Sequence, residues 1–259
     1  MRTLVLLVCL GQCVWFAGCG SSEQSSSATP PGAGGGGGGG VAGAQVQGNW
    51  YITLSSTSIP HGTGEVNLFI NQSGKNLSAS AAQAVDFTGS WCDQGGGFMT
   101  GTLTGNSLTF AFHTPTGFQL TFTGALANGV LTGTYSTTGS CGREDAGSFM
   151  GQVSPSITGN SWTGTATFLH GSADFTADLT EGATGLVTGS ISFPSGSPCG
   201  TTMNVNGGHK GRVIYLVDNQ GLKMDLVAVL DQPGKTISGE GGIMSPSVCD
   251  LQGLTMSKN

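Results

Sequence analysis

Two stretches of this chain run through the same succession of features, and that duplication limits its folding options more than any other property. Trp50 opens the first stretch, which passes through Val66-Asn67-Leu68-Phe69-Ile70 to Cys92 and then through Gly117-Phe118-Gln119-Leu120-Thr121 to Cys141. Trp162 opens the second, which passes through Asp174-Phe175-Thr176-Ala177-Asp178 to Cys199 and then through Gly221-Leu222-Lys223-Met224-Asp225 to Cys249. Self-similarity of this kind indicates two copies of one structural unit. It predicts repeats over 48–153 and 157–259, with a boundary near Ser154-Pro155-Ser156.

Inside each copy the period is that of a strand. Leu108, Phe110 and Phe112 alternate with Thr109 and His113, and Phe118, Leu120 and Phe122 with Gln119, Thr121 and Thr123. Met224, Leu226, Ala228 and Leu230 repeat the pattern in the second copy. Such alternation puts apolar side chains on one face of an extended chain. Turn formers separate the runs at Asn71-Gln72-Ser73-Gly74, Gly105-Asn106, Asn128-Gly129, Asn219-Gln220-Gly221 and Gln232-Pro233-Gly234, where hairpins need them. No stretch has a helical period. The fold class expected is all-β: two tandem antiparallel meander barrels of about eight strands each, with a pair of β-sandwich domains as the alternative.

Gly48-Asn49-Trp50-Tyr51 resembles the Gly-X-Trp opening of lipocalins and related calycin barrels. Gly129-Val130-Leu131-Thr132-Gly133-Thr134-Tyr135 is similar to strand segments of the avidin group. The resemblance implies that Trp50 plugs one end of its barrel, and it carries no ligand with it. A single transmembrane barrel of about sixteen strands would need strands of about 9 to 11 residues and aromatic girdles. The alternating runs here are shorter, and aromatics are 7% of the chain.

The N-terminus carries an address. Arg2 precedes an apolar run beginning Leu4-Val5-Leu6-Leu7-Val8-Cys9-Leu10, and Phe16-Ala17-Gly18-Cys19 follows. This arrangement resembles a bacterial lipoprotein leader. The resemblance implies that residues 1–18 are a signal peptide and that Cys19 becomes the acylated N-terminus. The protein would then be lipid-anchored in the cell envelope, periplasmic or surface-exposed, at the inner or the outer membrane. Two or more acyl chains give stable attachment where one gives only marginal binding. Gly11, Gln12 and Gly18 keep the apolar run too short for a spanning helix, which needs about 20 residues. From Cys19 to position 47 the chain is rich in Ser, Gly, Pro and Ala, with glycine unbroken from Gly34 to Gly40. Such a segment buries little apolar surface and reads as a disordered tether, with a typical end-to-end distance of roughly 30 Å.

Of seven cysteines, Cys9 and Cys13 leave with the leader and Cys19 is taken by lipid, so Cys92, Cys141, Cys199 and Cys249 remain. Two copies of one fold should close the same loop, which pairs Cys92 with Cys141 and Cys199 with Cys249. Export permits such bridges. A four-cysteine zinc site would need close pairs such as C-x-x-C, and the sequence has none.

The net charge of −6 is spread over both copies, with only 8% charged residues, which argues against a nucleic-acid partner. Outward positions carry Thr, Ser, Gly and Asn, a surface able to hydrogen-bond a carbohydrate or to remain inert. His61, His113, His170 and His209 are isolated and lack an HExxH motif, so each reads as an exposed polar residue and not as a ligand. There is no G-x-S-x-G elbow. Gly142-Arg143-Glu144-Asp145 reads as a solvated hairpin tip, and Asp174 and Asp178 as ordinary outward residues on one strand face, the paired carboxylates of a hydrolase being the alternative. No catalytic, metal or cofactor site is therefore assigned. The expectation is a lipid-anchored, non-catalytic binding module for a small apolar or polar-neutral ligand. A structural or interaction protein with filled barrels is the alternative, and a hydrolase a more distant one.

Overall fold

The computed structural model describes residues 44–58, 62–82, 97–113, 117–139, 144–158, 161–168, 171–197, 201–218, 225–242 and 251–258. The leader, Cys19, the tether up to residue 43, His61, His170 and the cysteines at 92, 141, 199 and 249 lie outside these residues.

The alternating runs form strands. The first copy contains β1 (Gly48–Ser56), β2 (Thr63–Ser73), β3 (Asn76–Ala82), β4 (Gly97–Thr104), β5 (Ser107–His113), β6 (Gln119–Ala127), β7 (Val130–Thr138) and β8 (Ala146–Val153). The second contains β9 (Ser161–Phe168), β10 (Gly171–Glu181), β11 (Leu186–Ser192), β12 (Thr202–Lys210), β13 (Val213–Asp218), β14 (Asp225–Leu230), β15 (Thr236–Gly242) and β16 (Leu251–Lys258). Each strand pairs with its neighbours in sequence, and β8 returns to β1 as β16 returns to β9. The result is two closed eight-stranded antiparallel meanders, not two sandwiches. Closure removes the exposed edges that an open sheet would present.

Turn chemistry sets the hairpins. Asn128 and Gly129 both have positive φ, 52° and 75°, the type I′ geometry that follows the twist of the flanking strands. Gly105 and Gly211 hold φ of 58° and 57° at the first position of two equivalent two-residue turns, β4–β5 and β12–β13. One turn lies later than its sequence signal suggests. β2 runs on through Asn71, Gln72 and Ser73, and the chain reverses at Gly74 and Lys75.

Inward residues fill both barrels. In the first, Phe110 and Phe122 stack at 4.4 Å between ring centroids, and Phe149 meets Phe122 edge-on at 5.1 Å. The Phe149 ring lies over Gly124 and Gly133, where even a methyl group would overlap it. Trp50 donates its indole N–H to the Val46 carbonyl at 2.7 Å, and Trp162 does the same to Ile157 at 3.2 Å. Both tryptophans are buried, Trp50 among the core residues of the first barrel and Trp162 among those of the second. Apolar interiors beneath outer walls rich in Thr and Ser invert the pattern of a water-filled transmembrane barrel.

Candidate functional site

Outward residues of a barrel strand should meet water, yet β2 is buried on both faces from Gly64 to Ile70. The second barrel covers it. Turns at one end of that barrel, β10–β11 and β12–β13, press against the side of the first barrel formed by β1 and β2.

Two polar groups hold this junction. In one, Asn67 donates to a Glu65 carboxylate oxygen at 2.9 Å and accepts the Arg212 backbone N–H at 2.6 Å. The Arg212 guanidinium binds both Glu65 oxygens, with Nε to Oε1 at 3.1 Å and a shorter contact from Nη2 to Oε2. It also lies 5.3 Å from the Tyr51 ring centroid. A bidentate, stacked arginine is the strong form of ion pair.

The second group centres on His209, which has no exposed surface. Its Nδ1 lies 3.1 Å from Glu181 Oε2 and 3.1 Å from Asn49 Nδ2, and its Nε2 lies 3.4 Å from Ser154 Oγ. Glu181 further accepts from Asn49 Nδ2, Ser156 Oγ and the Ile157 N–H. Burial alone would raise the Glu181 carboxyl. The hydrogen bond and charge of His209, with the Ile157 and Ser156 donors, outweigh it and hold the group below its ordinary value. The Asn49 side-chain oxygen is buried without a hydrogen-bond partner among the described residues.

Ser154, His209 and Glu181 thus have the connectivity of a hydrolase triad. Here the chain is sealed between the barrels, and the Ser154 N–H is bonded to the Asn49 carbonyl at 2.9 Å. The cluster acts as a latch in this conformation. His209 is therefore not the exposed polar residue its sequence context suggests: its odd-numbered phase on β12 points it into the barrel mouth.

Beside the latch is an open cleft of about 490 Å³. Phe69 and Asn71 line it from the first barrel, and Leu186, Gly208, Lys210 and Tyr215 from the second. Lys210 is half-buried, and burial lowers its amine below the usual lysine range.

The remaining sequence candidates do not converge. Asp174 and Asp178 share the outer face of β10 and accept hydrogen bonds from Thr165 and Ser161, each at 2.9 Å. Asp145 is buried, not a solvated tip. It accepts from Ser56 at 2.6 Å and from Tyr135 at 2.8 Å, and burial together with Asp145 pushes the Tyr135 hydroxyl strongly up. His113 stacks on Phe98 at 5.4 Å. Among the described residues no group of three His, Cys, Asp or Glu side chains is placed to hold a metal ion.

The class defined by this geometry is a fused tandem of filled eight-stranded barrels. No family model matches the sequence, and no curated protein matches it. Among solved structures, the crystal structure of kievitone hydratase from Nectria haematococca is similar over 82% of this chain and 89% of its own, at 11% identity and a TM-score of 0.23. A likeness at that level carries no argument about function.

Proposed function

We propose that this chain is a lipid-anchored envelope protein whose two-barrel body is a non-catalytic binding module, with its ligand site in the cleft between the barrels. The observation that supports this reading is the combination of filled interiors with an open cleft of about 490 Å³, within the size range of small-molecule sites. Phe110, Phe122 and Phe149 pack together inside the first barrel, which favours the junction cleft over that barrel's lumen as the ligand site. The anchor rests on Phe16-Ala17-Gly18-Cys19 alone. Mass spectrometry of the mature protein from a bacterial host tests it: residues 1–18 should be absent, Cys19 acylated, and Cys19→Ala released from the membrane fraction. A wild-type chain that is cleaved elsewhere and unacylated ends that part of the reading.

A hydrolase is the second reading, and it draws on the Ser154–His209–Glu181 connectivity. Burial of that chain predicts no labelling by a fluorophosphonate probe. Labelling of the wild type that disappears in Ser154→Ala would establish the enzyme in place of the binding module.

A further inference from the structure

We propose that the cleft is a site for a small anionic amphiphile, its charged group paired with Lys210 and its apolar body laid along Leu186, Tyr215 and Val227. This deepens the binding-module reading and rests on it.

The first observation is a row across four strands. Leu186 pairs with Gly208, Gly208 with Tyr215 and Tyr215 with Val227 in the strand registers of β11 to β14. All four point outward, and the three side chains are 59%, 42% and 43% exposed. At Gly208 a side chain would meet only the Gly185 carbonyl, at 3.7 Å, so the row contains a trough between Leu186 and Tyr215.

The same row in the first barrel shows that this is not a property of the repeated unit. Matching the β4–β5 turn to the β12–β13 turn, the equivalent residues are Asn76, Thr102, Thr109 and Thr123. All are exposed and polar, and Thr102 and Thr109 hydrogen-bond each other at 3.1 Å. An apolar stripe on one copy only, at the cleft, marks a surface used for contact.

The second observation is the cation. Lys210 lies two residues beyond Gly208 on the same face of β12, and its first-barrel equivalent is Thr104. No carboxylate pairs with it among the described residues, whereas its neighbour Arg212 is doubly bound to Glu65. Burial depresses its amine, the response of an ammonium ion that has lost water without gaining a counter-ion. A carboxylate, sulfonate or phosphate placed there would restore the missing partner, and the adjoining stripe would take the ligand's apolar part.

Fluorescence titration of the mature chain with anilinonaphthalene sulfonate and with its uncharged counterpart phenylnaphthylamine tests the pairing. The wild type should bind both. Lys210→Gln should weaken the sulfonate roughly tenfold, as for loss of one charge-assisted hydrogen bond, and leave the neutral probe unchanged. Gly208→Leu fills the trough and should weaken both. Equal sulfonate affinity in wild type and Lys210→Gln overturns the anion inference while the cleft survives. Binding of both probes unaffected by Gly208→Leu, or no binding at all, overturns the cleft and the binding-module reading with it.

Discussion

The outer face of β1 and β2 in the first barrel and the same face of β9 and β10 in the second have opposite fates. In the strand registers Asn49 lies opposite Phe69, Tyr51 opposite Asn67 and Thr53 opposite Glu65. The equivalent pairs in the second barrel are Ser161 with Asp178, Thr163 with Thr176 and Thr165 with Asp174. The first set carries two aromatics, two amides and a carboxylate, and Asn49, Tyr51, Glu65, Asn67 and Phe69 are all buried where the second barrel packs. The second set is short and self-satisfied, since Asp178 and Asp174 each accept a hydroxyl from across the strand pair. A side-to-end contact between like units is heterologous, and one that repeats without closing makes a filament. Polar residues at the second face remove the surface on which a further barrel end would dock.

Exchanging residues between the two faces should break the contrast most sharply. Phe69 packs against Gly185, so Phe69→Asp places the second barrel's residue into a buried junction and should cost about 4 kcal/mol or more. Scanning calorimetry should then show two transitions where the wild type shows one. The reciprocal Asp178→Phe lies on an exposed face and should stay within about 0.5 kcal/mol. A single undivided transition in Phe69→Asp would mean the barrels are not coupled through this face.

The paired glycine turns differ in the same way at smaller amplitude. Gly105 has open space where a side chain would begin, whereas Gly211 abuts Asn67 and the Trp50 carbonyl. Alanine at either position pays for left-handed backbone, roughly 1 to 2 kcal/mol. Gly211→Ala must also push the barrels apart, so about 3 kcal/mol is expected there against about 1 kcal/mol for Gly105→Ala. Equal losses in chemical denaturation would show that the junction yields without cost.

The smallest effect is a pH dependence specific to the junction. The Glu181 carboxyl is held below its ordinary value of 4.5 in the folded chain, so the unfolded chain takes up the proton first as pH falls. Its stabilising contribution is fully present above that value and is lost as pH drops through the folded one. The wild-type melting temperature should therefore decline more steeply below about pH 4.5 than that of Glu181→Gln. Identical slopes would remove Glu181 as the acid-sensitive part of the latch.

Much of this architecture is legible in the sequence, because two-residue alternation and turn formers act locally. The faces of β5, β6 and β14 and the hairpins at Gly105 and Asn128 all follow from neighbours in the chain. Position 209 illustrates the limit. A histidine near a strand end has no partner within reach in sequence, and Asn49, Ser154 and Glu181 come to it from three distant segments. Leu186, Tyr215 and Val227 did carry a signal, since they are apolar residues in the outward phase of their strands. That signal gains meaning only when the register sets them side by side.

The duplicated unit, its strand period and its turns are written locally in the residues, since each depends on backbone preferences and on which side chains avoid water. That the matching faces of the two copies have different surroundings follows from tertiary packing. Whether an outward Asn67 or Thr176 meets solvent or a partner depends on where a rigid barrel end comes to rest, a property of shape summed over many strands.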